Sequence, residues 1–125
     1  MVDSSDERPP LWVGHVLMRS HELEKSHDFM IQLGLRPIDK GDDYAILELR
    51  GGTHLAIFRG EDPSSGVADF DFMVEDLDAT HARFTEMGLS PSPIETGRIH
   101  RSFTVRDPSG LEIPFNSSHV SDLPV

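Results

Sequence analysis

Two apolar stretches with the length and composition of buried strands occur along the chain, and each precedes a segment with apolar residues at helical spacing. The stretches are LWVGHVLM, which starts at Leu11, and VADFDFMV, which starts at Val67. Short β-like runs follow each helical segment, separated by turn sequences such as KGDD, RGG and DPSG. The pattern therefore predicts the order strand, helix and three strands twice.

The two helical segments, LEKSHDFMIQLGL and LDATHARFTEMGL, align with one another without a gap. The matched leucines and large apolar residues share one helical face, and the matched glycines are placed to end each helix. We predict helices at about Ser20 to Leu33 and Asp76 to Met87, with Ser20 and Asp76 as the N-caps. The matched pairs are Leu23 and Leu77, His27 and His81, Met30 and Phe84, Gly34 and Gly88, and Leu35 and Leu89.

The remaining predicted strands fall into two sets of three, and the polar sequence RGEDPSSG connects the two halves. A chain of 125 residues accommodates one domain. We expect it to span residues 11–116, with modules at 11–60 and 67–116 and tails at 1–10 and 117–125. The predicted strands are Arg36 to Asp39, Tyr44 to Leu49 and Thr53 to Phe58, then Ser92 to Glu95, Arg101 to Arg106 and Leu111 to Asn116.

Composition excludes several classes of function. The absence of cysteine excludes disulfides, iron–sulfur clusters and thiol nucleophiles, so any metal must be held by His, Asp, Glu or water. A formal net charge of -11 argues against nucleic acid as a partner. No apolar run approaches the roughly 20 residues that span a bilayer, and MVDSSDERPP lacks the features of a signal peptide. We therefore expect a cytoplasmic protein without a membrane partner.

The tandem βαβββ pattern, the histidine in the first strand, and the segments ELEKSHDFMIQLGL, THLAIF, VEDLDATHARFTEMGL and RDPSGLEIPF together resemble the vicinal oxygen chelate superfamily. This superfamily includes glyoxalase I, bleomycin resistance proteins and extradiol dioxygenases. The resemblance implies an α+β fold in which the two modules form a curved mixed sheet or half-barrel. It also implies a homodimer that binds a small oxygenated organic molecule.

Alternation along the strands predicts which side chains line the binding cavity. If Phe70 and Phe72 pack under a helix, then Asp69, Asp71 and Met73 face the cavity, and the repeat places His15 at the position of Asp69. If Leu55 and Ile57 pack in the core as Ile113 and Phe115 do, the alternate side chains of the two closing strands also face the cavity. These are His54, Ala56 and Phe58 from the first module and Glu112, Pro114 and Asn116 from the second.

The resemblance implies a divalent ion, which could be Fe, Mn, Zn, Ni or Mg, at His15 and Asp69. His54 and Glu112 lie on the same predicted face, two residues before the family's closing-strand positions. They could complete a displaced site, with His54 as a ligand and Glu112 as a catalytic base, or they could only line the pocket. In metal-dependent relatives, however, the closing strands supply further ligands at positions that correspond to Ala56 and Pro114, which cannot bind metal through their side chains. Two functions therefore remain open. One is a metal-dependent lyase, isomerase or ring-cleaving dioxygenase. The alternative is a metal-free protein that binds and sequesters a small molecule, as bleomycin resistance proteins do.

Other polar residues are candidates for substrate binding. GRIHRSF could place His100 and Arg101 on a loop over the cavity, where Arg101 would suit a carboxylate or phosphate, or it could be a solvated hairpin. The predicted substrate contacts are Asp71, Met73, Phe58, His100, Arg101 and Asn116. We expect His27 and His81, the histidines shared by the two helices, to be structural.

Overall fold

The computed structural model describes residues 5–61 and 66–125. Part of the predicted N-terminal tail and part of the connector between the modules, residues 1–4 and 62–65, lie outside the described residues. The rest confirms the tandem α+β fold, because each module holds one α-helix and one four-stranded mixed sheet, and a short 3-10 turn at Arg50–Gly52 joins the third strand of the first module to the fourth. The elements are β1 His15–Ser20, α1 Leu23–Leu33, β2 Arg36–Lys40, β3 Tyr44–Glu48, β4 His54–Arg59, β5 Phe72–Val74, α2 Leu77–Glu86, β6 Glu95–Thr96, β7 Arg101–Arg106 and β8 Glu112–Ser117.

The two sheets have the same topology. Sheet A has the strand order β1-β4-β3-β2, and sheet B has the corresponding order β5-β8-β7-β6. In each sheet the first strand pairs in parallel with the last, and the other pairs are antiparallel. The predicted strand from Ser92 to Glu95 overlaps the observed β6 only at Glu95, and β6 pairs with β7 through Glu95 and Thr96. Because β1 and β5 stand at one end of these strand orders, the first strand of each module lies at a sheet edge.

The glycines that the repeat aligned do end the helices. Gly34 has φ 123, and the following backbone N–H, from Leu35, donates to the Met30 carbonyl at 3.0 Å. Its repeat mate Gly88 has φ 79 and lies one residue beyond Met87, the C-cap of α2, and the following N–H, from Leu89, donates to the Phe84 carbonyl at 3.0 Å. A side chain with a Cβ is disfavoured at such positive φ values, so glycine at these positions stops both helices.

Only one of the two predicted N-caps is observed. Asp76 caps α2, since its carboxylate accepts from a backbone N–H of the first turn at 2.9 Å. The prediction for Ser20 was wrong, because Ser20 is the last residue of β1 and α1 begins at Leu23. The Ser20 hydroxyl instead accepts from the Glu22 N–H at 3.0 Å, a local bond that competes with capping.

The helices pack against one face of the sheets and form a core that both modules share. The residues predicted as core pairs in the closing strands, Leu55 and Ile57 in β4 and Ile113 and Phe115 in β8, are at most 3% exposed. In sheet B, Phe115 stacks on Phe103 with the ring centroids 5.3 Å apart. The alternate residues of these strands therefore lie on the opposite face of each sheet, away from the helices.

A buried carboxylate in the turn between β7 and β8 connects the two modules. Asp107 is 4% exposed and accepts from the Ser109 N–H and hydroxyl and from the Leu111 N–H. It also accepts from the Ser26 hydroxyl of α1 at 2.6 Å. Since a carboxylate can only accept, Ser26 is the donor in that bond, and Ser20 must then donate to Ser26, whose oxygen is 2.6 Å from its own. The result is a directed chain of hydroxyl groups from β1 to the Asp107 turn.

Neither helix in the described part of the chain is long and apolar enough to cross a membrane.

Breaking the buried chain should destabilise the whole fold. Asp107→Asn puts an NH2 group where donors converge, and Ser26→Ala leaves the Asp107 oxygen without its partner from α1. We expect each change to lower the free energy of unfolding by about 1–3 kcal/mol. Urea denaturation measures this effect, with Asp122→Asn, an exposed carboxylate in the C-terminal segment, as the control. Equal stability of Asp107→Asn and the control would contradict the role of the buried link.

A second prediction concerns pH. Arg101 at the start of β7 makes a bidentate pair with Asp78 of α2, with bonds of 2.7 and 3.0 Å. The hydrogen bonds from Arg101 hold the pKa of the Asp78 carboxyl below its ordinary value. The pair therefore stabilises the fold near neutral pH, and this contribution disappears as the pH falls through the lowered pKa.

Arg101→Gln should remove that contribution, so the loss of stability between about pH 7 and about pH 3 should be smaller than in the wild type. Urea midpoints across this range measure the effect, and Arg98→Gln, at an exposed arginine nearby, is the control. If the wild type and Arg101→Gln lose stability in parallel, the pair contributes nothing.

Candidate functional site

The face of sheet A that points away from α1 carries the first group of predicted site residues. We call this the open face of sheet A. Alternation places His15, Leu17 and Arg19 of β1 on it, and the register of β1 and β4 sets His15 beside His54 and Leu17 beside Ala56. Leu17 is 60% exposed, whereas the intervening Met18 is 5% exposed in the core. The chain itself leaves this face largely uncovered.

A row of polar side chains crosses the open face of sheet A. Arg36 of β2 donates to the Glu48 carboxylate, with its Nε 3.0 Å from Oε1, and His54 Nε2 lies 3.2 Å from Glu48 Oε2. The His15 ring meets the His54 ring edge-on, with the centroids 5.9 Å apart. The row thus runs from Arg36 through Glu48 and His54 to His15, with one residue from each strand of the sheet.

Glu48 is the functional candidate that sequence reasoning missed. The hydrogen bonds from Arg36, and then from His54, hold the pKa of the Glu48 carboxyl below its ordinary value. An ionised Glu48 can only accept, so His54 donates from Nε2, and in the neutral ring Nδ1 then keeps its lone pair. The alternation of YAILE could have revealed Glu48, because Ala45 and Leu47 are buried in the core and Glu48 lies on the opposite face.

The open face of sheet B is less charged. The Thr104 hydroxyl donates to the predicted base, Glu112, at 3.0 Å, and Pro114 and Asn116 follow Glu112 along β8 on the same face. Asn116 is buried and donates to the Asp71 carboxylate. Met73 is 48% exposed, as a residue that faces outward from β5 should be. Asp71 is therefore engaged with Asn116, and Met73 offers an exposed apolar surface.

The second module departs from the repeat at its first strand. His15 pairs with His54, and the corresponding closing-strand residue, Glu112, pairs with Val67. Further along the same strands, Phe72 pairs with Phe115. The chain from Val67 to Phe72 is therefore longer than the corresponding part of β1. The gapless repeat predicted that Asp69 occupies the position of His15; in the observed register Val67 does, and Asp69 lies in the extra, exposed segment.

This arrangement bears on the metal ion that the family resemblance implies. Within residues 5–61 and 66–125 no three His, Asp or Glu side chains are grouped so that they could hold an ion. His15 and His54 are adjacent, but Asp69 does not join them, and Ala56 and Pro114 supply no ligand. The described residues of one chain therefore do not fit a complete divalent-metal site.

Two other predicted substrate contacts lie elsewhere. Arg101 was predicted over the cavity, but its bonds to Asp78 of α2 place it on the helix side of sheet B. His100 precedes β7, and its ring lies beside that of His119. His81, predicted to be structural, packs edge-on against Phe103 and bonds to the Ser92 carbonyl at 2.8 Å.

A groove of about 700 Å³ lies on the helix side of the molecule, between α1 and the Asp107 turn, and none of the predicted site residues line it. Its walls include Phe29, Gln32, Leu89 and Pro108. The open faces of the sheets, rather than this groove, carry the residue types that the sequence singled out.

Comparison with known proteins agrees with this arrangement. No curated protein matches the chain significantly. Among solved structures, it resembles a lactoylglutathione lyase from Agrobacterium tumefaciens, with a TM-score of 0.74 and 17% identity over 90% of this chain and 97% of that one. It resembles TnmS3, an antibiotic-binding protein from Streptomyces sp. CB03234, with a TM-score of 0.73 and 21% identity over 88% and 98%. The oxidase ChaP-H2 has a TM-score of 0.69 and 18% identity over 88% and 95%.

At these identities the structural neighbours show the fold, and the family follows from the sequence itself. The family model of the Glyoxalase/Bleomycin resistance protein/Dioxygenase superfamily matches residues 12–115, which is most of the chain. Together with the two βαβββ modules, this match shows that the chain belongs to the Glyoxalase/Bleomycin resistance protein/Dioxygenase superfamily.

Proposed function

We propose that the protein binds a small organic molecule on the open faces of its sheets, without a metal ion, and that a second copy of the chain completes the site. The observation that carries this proposal is the open face of sheet A. It combines exposed apolar side chains, Leu17 and Phe58, with the polar row that ends at His54 and His15. Ligand sites have this composition, a mainly apolar surface with a few placed polar groups.

Exposed apolar residues beside the site support the second copy. Leu11, Trp12 and Val13 precede the edge strand β1, and Trp12 is 72% exposed. The Val13 carbonyl accepts from Thr53 at 2.6 Å, so this segment is anchored at the end of sheet A where the polar row lies. Contiguous exposed apolar residues mark interaction surfaces, and a symmetric homodimer is the commonest assembly.

The chemistry of the faces indicates the class of ligand. Leu17, Phe58 and Met73 suit a flat aromatic or aliphatic body, and Glu48 with His54 suits a hydrogen-bonding or cationic group. The net charge of -11 also favours a cation over an anion. The structural similarity to an antibiotic-binding protein is consistent with a ligand of this type. Binding would require no covalent chemistry, and the site would act by sequestering its ligand in the cytoplasm, the location expected from the sequence.

A metal-dependent enzyme is the second candidate, and a specific observation favours it. Superfamily members commonly use divalent metals, and the His15 and His54 rings lie side by side in paired strands. A bound ion would polarise substrate oxygens, and Glu112 would be the candidate base. At least one further ligand would have to come from the second copy. A stoichiometric divalent ion in protein purified without an affinity tag, lost in His15→Ala, would favour this candidate over the first.

The proposed binding function predicts a specific effect at Leu17. A thermal-shift screen of cationic aromatic compounds should yield stabilising ligands in metal-free buffer. Leu17→Ala removes exposed apolar surface from the open face, so it should weaken ligand binding about tenfold, the equivalent of about 1.4 kcal/mol, and leave stability nearly unchanged. Isothermal titration measures the affinity, and Ile31→Ala, at an exposed residue of α1, is the control. If only metal ions stabilise the fold, sequestration is the wrong function.

The homodimer should depend on Trp12. At micromolar concentration the wild type should sediment at twice the 14.0 kDa mass of the chain. Trp12→Ser removes the largest exposed apolar side chain of the segment, and we expect it to shift the equilibrium toward the monomer by a factor of about ten or more. Val125→Ser, at an exposed apolar residue of the C-terminus, should remain dimeric. A wild type that sediments only as a monomer would contradict the assembly.

A further inference from the structure

A second pair of histidines lies outside the open faces, at the end of sheet B. His100 comes just before β7, and His119 comes just after β8, the strand that pairs with β7. The strand ends are joined by a bond of 3.0 Å from the Arg101 N–H to the Ser117 hydroxyl. This pairing brings the two rings together, with centroids 5.6 Å apart and an angle of 39° between the planes.

One nitrogen of this pair lacks a partner. His100 Nδ1 is buried and makes no hydrogen bond to any residue that the structure describes. Buried polar atoms are nearly always paired, because a buried group without a hydrogen bond loses the bonds that it made to water in the unfolded chain. The other structural histidine of this module, His81, bonds to the Ser92 carbonyl through its ring. The unpaired nitrogen of His100 therefore requires an explanation that His81 does not.

The separation of the two rings suits a shared metal ion. An ion about 2.0–2.1 Å from one nitrogen of each ring puts the ring centres about 5 to 6 Å apart. Imidazole nitrogens are ligands for zinc, nickel and copper, whereas magnesium and calcium prefer oxygen. With the chain's net charge of -11, a cation is attracted to the surface rather than repelled.

We propose that His100 and His119 form a two-histidine site for a borderline divalent transition-metal ion such as Zn2+, with water in the remaining coordination positions. The ion ties the segment after β8 to the start of β7. Binding thereby stabilises this end of sheet B, and the stabilisation grows with the logarithm of the free ion concentration once that exceeds the dissociation constant. The site lies in the second module and shares no residue with the open face of sheet A, so it is independent of the proposed function.

The test uses the full chain without an affinity tag, freed of metal with a chelator and titrated with Zn2+ at about pH 7.5, where imidazole is mostly neutral. The first equivalent should shift the ring signals of His100 and His119 together in histidine NMR spectra and should raise the melting temperature. His119→Gln should weaken Zn2+ binding about tenfold or more. His119 is exposed, so this variant should fold normally even if His100→Gln does not.

Two controls separate the possible results. His21→Gln, which alters an exposed histidine before α1, should bind Zn2+ like the wild type. His54→Gln should also leave this binding unchanged, since His54 belongs to the other histidine pair. Wild-type affinity in His119→Gln would overturn the proposal, and so would zinc binding that is lost in His54→Gln and shifts the ring signals of His15. The latter result would support a metal on the open face, whereas failure of organic ligands to bind would leave the His100 and His119 result standing.

Discussion

The arrangement of the two modules depends on one buried carboxylate. Asp107 cannot remain charged in the interior unless its oxygens are satisfied, and the turn supplies only part of the donors it needs. Ser26 of α1 supplies the remaining bond at 2.6 Å, and Ser20 of β1 supports Ser26 in turn. Hydroxyl groups of the first module thus complete the hydrogen bonding of Asp107, a buried carboxylate of the second module. The buried hydrogen bonds thus join the two modules beside a core to which both contribute apolar side chains.

The same constraint determines where binding can occur. The helices and the Asp107 turn lie on the core side, so the packing of Leu55, Ile57, Ile113 and Phe115 uses one face of each sheet. The opposite faces contribute less to the core, although Ala56 and Asn116 on them are buried. Leu17 remains 60% exposed, although Met18, the next residue of β1, is 5% exposed. Exposed side chains of these faces, such as Leu17 and Phe58, are therefore available to contact a ligand.

Sequence predicted the parts of this structure that depend on local pattern, and it failed where tertiary contacts decide. The helix stops at Gly34 and Gly88 follow from backbone conformation, which a short motif specifies. Ser20 looked like an N-cap, but its hydroxyl belongs to the chain that reaches Asp107, a contact distant in sequence. The alternation in β3 could have placed Glu48 on the open face, but its pairing with His54 depends on the register of β3 and β4, which the local pattern does not specify.

The register of the second module has the widest consequence for function. The helices of the two modules align without a gap, so the extra residues between Val67 and Phe72 are invisible to the repeat and appear only in strand pairing. In the observed register the residue equivalent to His15 is Val67, which cannot bind a metal. The modules are thus alike in fold and unequal in chemistry. The row that contains the paired histidines is confined to sheet A, whereas sheet B carries Glu112 and the Asp71–Asn116 pair beside Met73 and Pro114. Two faces with different polar groups suit a ligand whose two ends differ.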